Sequence, residues 1–166
     1  MSWWQRFLAW LRKLFGGTAA ATVGCIDFST MAIANNYPNA WNLTGPNGGT
    51  ATFETFNPPG STTPGSAANN RVHSLGGTPP GPAGLDCNFT LEIKFPTASQ
   101  LSFKLYHSAQ PATIEAFDST GALVGNGAQA PPPRVVSTVN VAAPGSERAV
   151  VNSPGDEVVL LEFCAT

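Results

Sequence analysis

The sequence predicts an all-β, antiparallel β-sandwich preceded by one N-terminal amphipathic helix. Three observations predict it. From Thr22 onward apolar and polar residues alternate with a period of two, as in half-buried strands. The 15 Pro and 17 Gly are spread along the chain, which suits many short strands joined by turns. Only Trp3 to Phe15, WWQRFLAWLRKLF, carries a helical period. The expected organisation is a helix at 1–17, a linker at 18–22 and a sandwich at 23–166.

On a helix of about 100° per residue, Trp3, Trp4, Phe7, Leu8, Trp10, Leu11, Leu14 and Phe15 share one side. Gln5, Ala9 and the basic residues Arg6, Arg12 and Lys13 share the other. Gly16 and Gly17 are the expected stop, because Gly readily adopts the conformation that ends a helix. Such a helix spans roughly 21 Å, too short to cross a bilayer. It also makes a poor signal peptide, since its charges and tryptophans are interleaved and the following LFGGTAAATVG is Gly-rich.

Net charge is −2 over 166 residues, but it is divided unevenly. Residues 1–17 carry +3 and no acid, whereas residues 18–166 carry −5. The sandwich offers no basic footprint, so nucleic acid is excluded as a partner class. The basic helix is the part that suits an anionic surface.

Strand candidates are 23–29, 50–56, 70–74, 87–95, 101–107, 112–118, 122–125, 134–141, 148–152 and 157–164. The clearest is 87–95, with Cys87, Phe89, Leu91, Ile93 and Phe95 on one face. Phe95-Pro96 and Gln110-Pro111 are expected to end strands, because proline cannot donate to a ladder. Asp118-Ser119-Thr120-Gly121 reads as an Asx turn closed by a glycine. Pro58 to Gly65 and Gly76 to Gly84 read as long loops.

Setting 25–29 antiparallel to 160–164 matches Cys25 with Cys164, Ile26 with Phe163, Asp27 with Glu162 and Phe28 with Leu161. Two readings fit the thiols: a Cys25–Cys164 disulfide, or three cysteines acting as small core hydrophobes. Cys87 reads as a buried free thiol. Asp27 beside Glu162 places like charges opposite each other. A Ca²⁺ ion held by hard oxygen ligands explains the pair, and so does a slipped register or an intervening water or base. No other cofactor is expected.

A search for chemistry finds no metalloprotease helix, no nucleophile elbow and no phosphate loop. Gly125 to Ala130 matches a dinucleotide fingerprint, but Pro131-Pro132-Pro133 prevents a helix from opening there. His73 and His107 read as structural or surface residues. An enzyme is the weakest class. A ligand-binding loop, if there is one, is best placed at Tyr37, Trp41 and Asn42, where an aromatic and an amide lie together; Trp41 as a cap on the core fits equally.

Three stretches carry a family resemblance: GLDCNFTLEIKFP, LYHSAQPATIEAFDSTGALVG and DEVVLLEFC. Residues 24–164 resemble bacterial β-sandwich domains of uncertain function, similar to carbohydrate-binding and galactose-binding-like modules of exported proteins. The resemblance excludes the helix. It implies a jelly-roll sandwich, often carried as a non-catalytic module, and does not give a ligand.

The expected function is a structural or assembly subunit. Its helix mediates self-association into a homo-oligomer or attachment to an anionic membrane surface, because so broad an apolar face is not left in water. The alternative is a carbohydrate-binding module with a glycan partner. The expected location is the cell surface or the extracellular space, with the cytoplasm still open.

Overall fold

Two long antiparallel strands, β8 (Thr90–His107) and β11 (Val136–Asn152), run through the whole of the computed structural model and pair along their length. The structure describes residues 21–57, 62, 65–74, 81–87, 90–130, 132–154 and 158–166, with backbone alone at 34–36. The expected helix, with both of its faces and most of its linker, lies outside the described residues.

The other strands are β1 (Gly24–Asp27), β2 (Ala34–Tyr37), β3 (Trp41–Thr44), β4 (Thr50–Phe56), β5 (Ala67–Ala68) and β6 (Asn70–Ser74). They are followed by β7 (Ala83–Asp86), β9 (Thr113–Asp118), β10 (Leu123–Ala128) and β12 (Val158–Ala165). Every pairing among the described residues is antiparallel. The described chain is therefore all-β.

β8 and β11 belong to two layers each. The first half of β8 pairs with β4 and with the second half of β11, which continues to β9 and β10. The second half of β8 pairs with β12 and with the first half of β11. β12 then continues to β1 and to β7, β6 and β2. Between the halves the β8–β11 register shifts twice, around Pro96 on β8 and around Pro144-Gly145 on β11. Extra residues at such bulges bend a strand and free a proline from donating to the ladder. These bends turn one continuous sheet into two facing layers.

This geometry corrects three expectations. Pro96 does not end a strand, because it falls at the register shift, so 87–95 and 101–107 join into β8. The 134–141 and 148–152 candidates likewise join into β11. Cys87 does not open β8 but follows β7, a strand that occupies the end of the expected 76–84 loop. β2, β3 and β5 were not expected either. They are two to four residues long, too short to show a period.

Apolar alternation fills the space between the layers. Leu91, Ile93, Leu101, Phe103 and Leu105 of β8 are buried in one cluster with Phe53 of β4, Ile114 of β9, Val151 of β11 and Phe163 of β12. Phe163 touches Phe53, Phe95 and Phe103, with centroids 5.9, 5.5 and 5.4 Å away. Burying four such rings is the main stabilising contribution of this region.

Candidate functional site

The described chain presents three polar assemblies and one aromatic pair. The first assembly closes the domain. β1 and β12 pair with Cys25 opposite Cys164, Ile26 opposite Phe163 and Asp27 opposite Glu162. The thiols are joined as a disulfide across 139 residues. Ile26 and Phe163 face the core, which leaves the cysteines and carboxylates on the outer face. Asp27 Oδ1 accepts hydrogen bonds from Ser29 N and Oγ at 2.8 and 2.6 Å. On its other side Glu162 lies opposite Lys104 of β8. Among the described residues no third carboxylate or histidine joins Asp27 and Glu162. Asp27 and Glu162 thus share a register and a face, but the Asp27 carboxylate is bound by Ser29 and is not grouped with Glu162 as a Ca²⁺ donor set.

The aromatic pair is Tyr37 and Trp41. Their rings stack with centroids 3.9 Å apart and planes 16° apart. Trp41 also meets Phe28 at 6.0 Å, and both rings pack on the core. Asn70 sets this corner. It is fully buried, and its Nδ2 donates to Pro38 O, Asn39 O and Phe53 O within 2.9 Å. Its Oδ1 accepts from Thr55 Oγ1 at 2.8 Å. Asn42 does not share the aromatic face. Trp41 and Asn42 are successive residues of β3, so their side chains point to opposite sides, and Asn42 Oδ1 accepts from Thr52 Oγ1 at 2.6 Å.

The second assembly crosses the outer face of the first layer. Glu54 and Glu92 are cross-strand partners, and Lys94 Nζ lies 2.6 and 3.1 Å from their carboxylates. Arg148 is paired with Glu92 at 3.0 Å, and its guanidinium lies 4.2 Å above the Phe117 ring. Contact with Glu54 and then Glu92 raises the Lys94 pKa. The ladder borders an open groove of about 540 Å³ lined by Lys94, Phe95, Asp118 to Gly121, Glu147 and Arg148. One wall is the expected Asx turn. Asp118 Oδ1 accepts from Thr120 N, Thr120 Oγ1 and Ala122 N within 3.0 Å, and Gly121 has φ +85°. These bonds, led by the Thr120 hydroxyl, hold the Asp118 carboxyl below the usual range. Sequence reading missed this groove. Lys94 and Arg148 are ordinary outward-facing strand residues, and only register brings them beside the turn.

The third assembly centres on Asp86 at the end of β7. Its side chain is 5% exposed, with Arg71 Nη2 at 2.7 Å and His73 Nε2 at 3.3 Å. Burial alone raises its pKa; His73 and Arg71 together outweigh burial and lower it. Burial, with Asp86 adding to it, pushes the thiol of neighbouring Cys87 well up, so Cys87 is an inert buried thiol. His107 is 1% exposed at the end of β8, and neither ring nitrogen has a hydrogen-bond partner among the described residues. Neither histidine lines the groove.

No protein-family model matches the chain, and no curated protein matches it significantly. Two solved structures overlie most of it. One is CsCBM6-3 from Clostridium stercorarium in complex with cellobiose, at 16% identity and a TM-score of 0.38, covering 91% of this chain and 98% of that one. The other is the carbohydrate-binding module CBM36 in complex with calcium and xylotriose, at 15% identity and a TM-score of 0.30, covering 86% and 98%. Both belong to the class that the sequence resembles.

Proposed function

We propose that this protein is a non-catalytic recognition module of jelly-roll type whose groove binds a neutral, hydroxyl-rich ligand, a glycan. The carrying observation is that the groove is polar and open while its ionic groups are engaged within the chain. Lys94 is balanced by Glu54 and Glu92, and Arg148 by Glu92. Glu147 accepts from Thr97 Oγ1 at 2.7 Å, and Asp118 is held by its own turn. A charged ligand would have to break these pairs, whereas hydroxyl groups can use the remaining donor and acceptor positions. The Arg148 guanidinium, fixed on Phe117, supplies a flat surface for a ring.

A non-catalytic role is supported by the histidines. His73 is committed to Asp86 and His107 is sealed from solvent, so neither offers a base to the groove. An outer-face disulfide supports a location at the cell surface or outside it. Attachment to an anionic membrane, or assembly with further copies, rests on the amphipathic face of residues 3–15 alone.

Binding of the full chain to a glycan array tests the reading. Retention on neutral glycans, weakened by Arg148→Ala and unchanged by Asn42→Ala, is expected. Retention on no glycan would overturn it. Co-sedimentation with anionic vesicles, lost on Trp4→Asp plus Leu11→Asp, tests the attachment role.

A further inference from the structure

The outer face of the β1–β12 pair carries chemistry that glycan recognition does not use. Cys25 and Cys164 are cross-strand partners with Cα atoms 4.0 Å apart. Two residues along each strand, Asp27 and Glu162 are partners in the same register. Period two brings all four side chains to one face. A carboxylate oxygen of Glu162 and the two sulfurs all lie within 4.8 Å of one another. In the oxidised chain the sulfurs are bonded to each other and cannot act as thiolate ligands.

We propose that reduction of this disulfide opens a Zn²⁺ site ligated by Cys25, Cys164 and Glu162, with water in the fourth position, since Asp27 Oδ1 is held by Ser29 and stands outside the group. Two thiolates and a carboxylate are a donor set that Zn²⁺ accepts in tetrahedral geometry. Zn–S bonds of about 2.3 Å place two sulfurs roughly 3.8 Å apart, a short movement for side chains on neighbouring strands. Thiolates favour zinc over calcium, so the site differs from a carboxylate-only Ca²⁺ site and depends on redox state. A cation here also relieves the repulsion between Asp27 and Glu162. Lys104, opposite Glu162 on β8, is the positive group that competes for that carboxylate.

The redox step uses a dithiol reductant. Its thiolate attacks one sulfur, and Cys25 is the exposed partner. The S–S bond breaks, and the second thiol of the reductant resolves the mixed disulfide. Two electrons pass to the chain, the reductant leaves as a cyclic disulfide, and two cysteine thiols remain. Binding Zn²⁺ then releases the two thiol protons to solvent.

The test is calorimetric titration of ZnCl₂ into the full chain, oxidised and after dithiol reduction, with Co²⁺ as a spectroscopic probe. The reduced chain is expected to bind one Zn²⁺ and to show thiolate-to-Co²⁺ charge transfer, while the oxidised chain does neither. Glu162→Gln should weaken the reduced site by roughly tenfold or more. Cys87→Ala should leave it unchanged. Equal binding in both redox states, or no binding after reduction, would overturn the proposal. So would loss of the β-sheet circular dichroism signal on reduction that Zn²⁺ does not restore.

Discussion

Phe53 of β4 and Phe163 of β12 meet edge to face across the two layers, with centroids 5.9 Å apart and planes at 88°. The two strands do not pair with each other; each pairs with a different half of β8. The contact therefore exists only because β8 bends. Phe163→Ala removes the ring that three other phenylalanines share. Denaturant unfolding of this variant should show a loss of about 4 kcal/mol.

Cys25 and Cys164 close almost the entire described domain into one loop. In the chain-entropy model, a bond spanning 139 residues is worth on the order of 5 kcal/mol. Thermal unfolding with and without a dithiol should show a large drop in midpoint on reduction. Cys25→Ser plus Cys164→Ser should reproduce that drop without any reductant.

Asp86 ties stability to acidity. Its folded pKa lies below the ordinary 3.8. Its stabilising contribution is therefore complete above 3.8 and is lost as pH falls through the lower folded value. Asp86→Asn should flatten that part of the acid unfolding curve. At neutral pH it should cost roughly 2 kcal/mol, discounted because the Arg71 side chain is 37% exposed. Asp118→Asn is the control. Its carboxyl is also lowered but is fully exposed, so it should flatten the same pH range much less, while leaving the Arg71 and His73 contacts intact.

Asn70 is the polar residue on which the Tyr37–Trp41 corner depends. Asn70→Ala leaves Thr55 Oγ1 and three backbone carbonyls without their partner. Urea unfolding should report a loss of about 3 kcal/mol. Near-ultraviolet circular dichroism should change as the stacked rings loosen.

The sequence carries the parts of this fold that depend on local alternation or on one strand pair. Cys25 to Phe28 against Leu161 to Cys164 was legible because thiol, carboxylate and apolar residues match in one register. The Asp118 turn was legible because its hydrogen bonds are local. The bends at Pro96 and Pro144 were not. A proline ends a strand unless a partner strand shifts register beside it, and that shift is a property of β8 and β11 together. The groove was missed for the same reason. Lys94 and Arg148 lie 54 positions apart and become neighbours only through the β8–β11 ladder. Cys87 is buried as its alternation predicts, but it follows β7 instead of opening β8.

Backbone amide shifts of the full chain, followed during titration with a neutral oligosaccharide retained on the array, test the groove most directly. Shifts concentrated at Lys94, Phe95, Asp118 to Gly121, Glu147 and Arg148 are the predicted result. Shifts that leave these residues unmoved and gather around Tyr37 and Trp41 would contradict it.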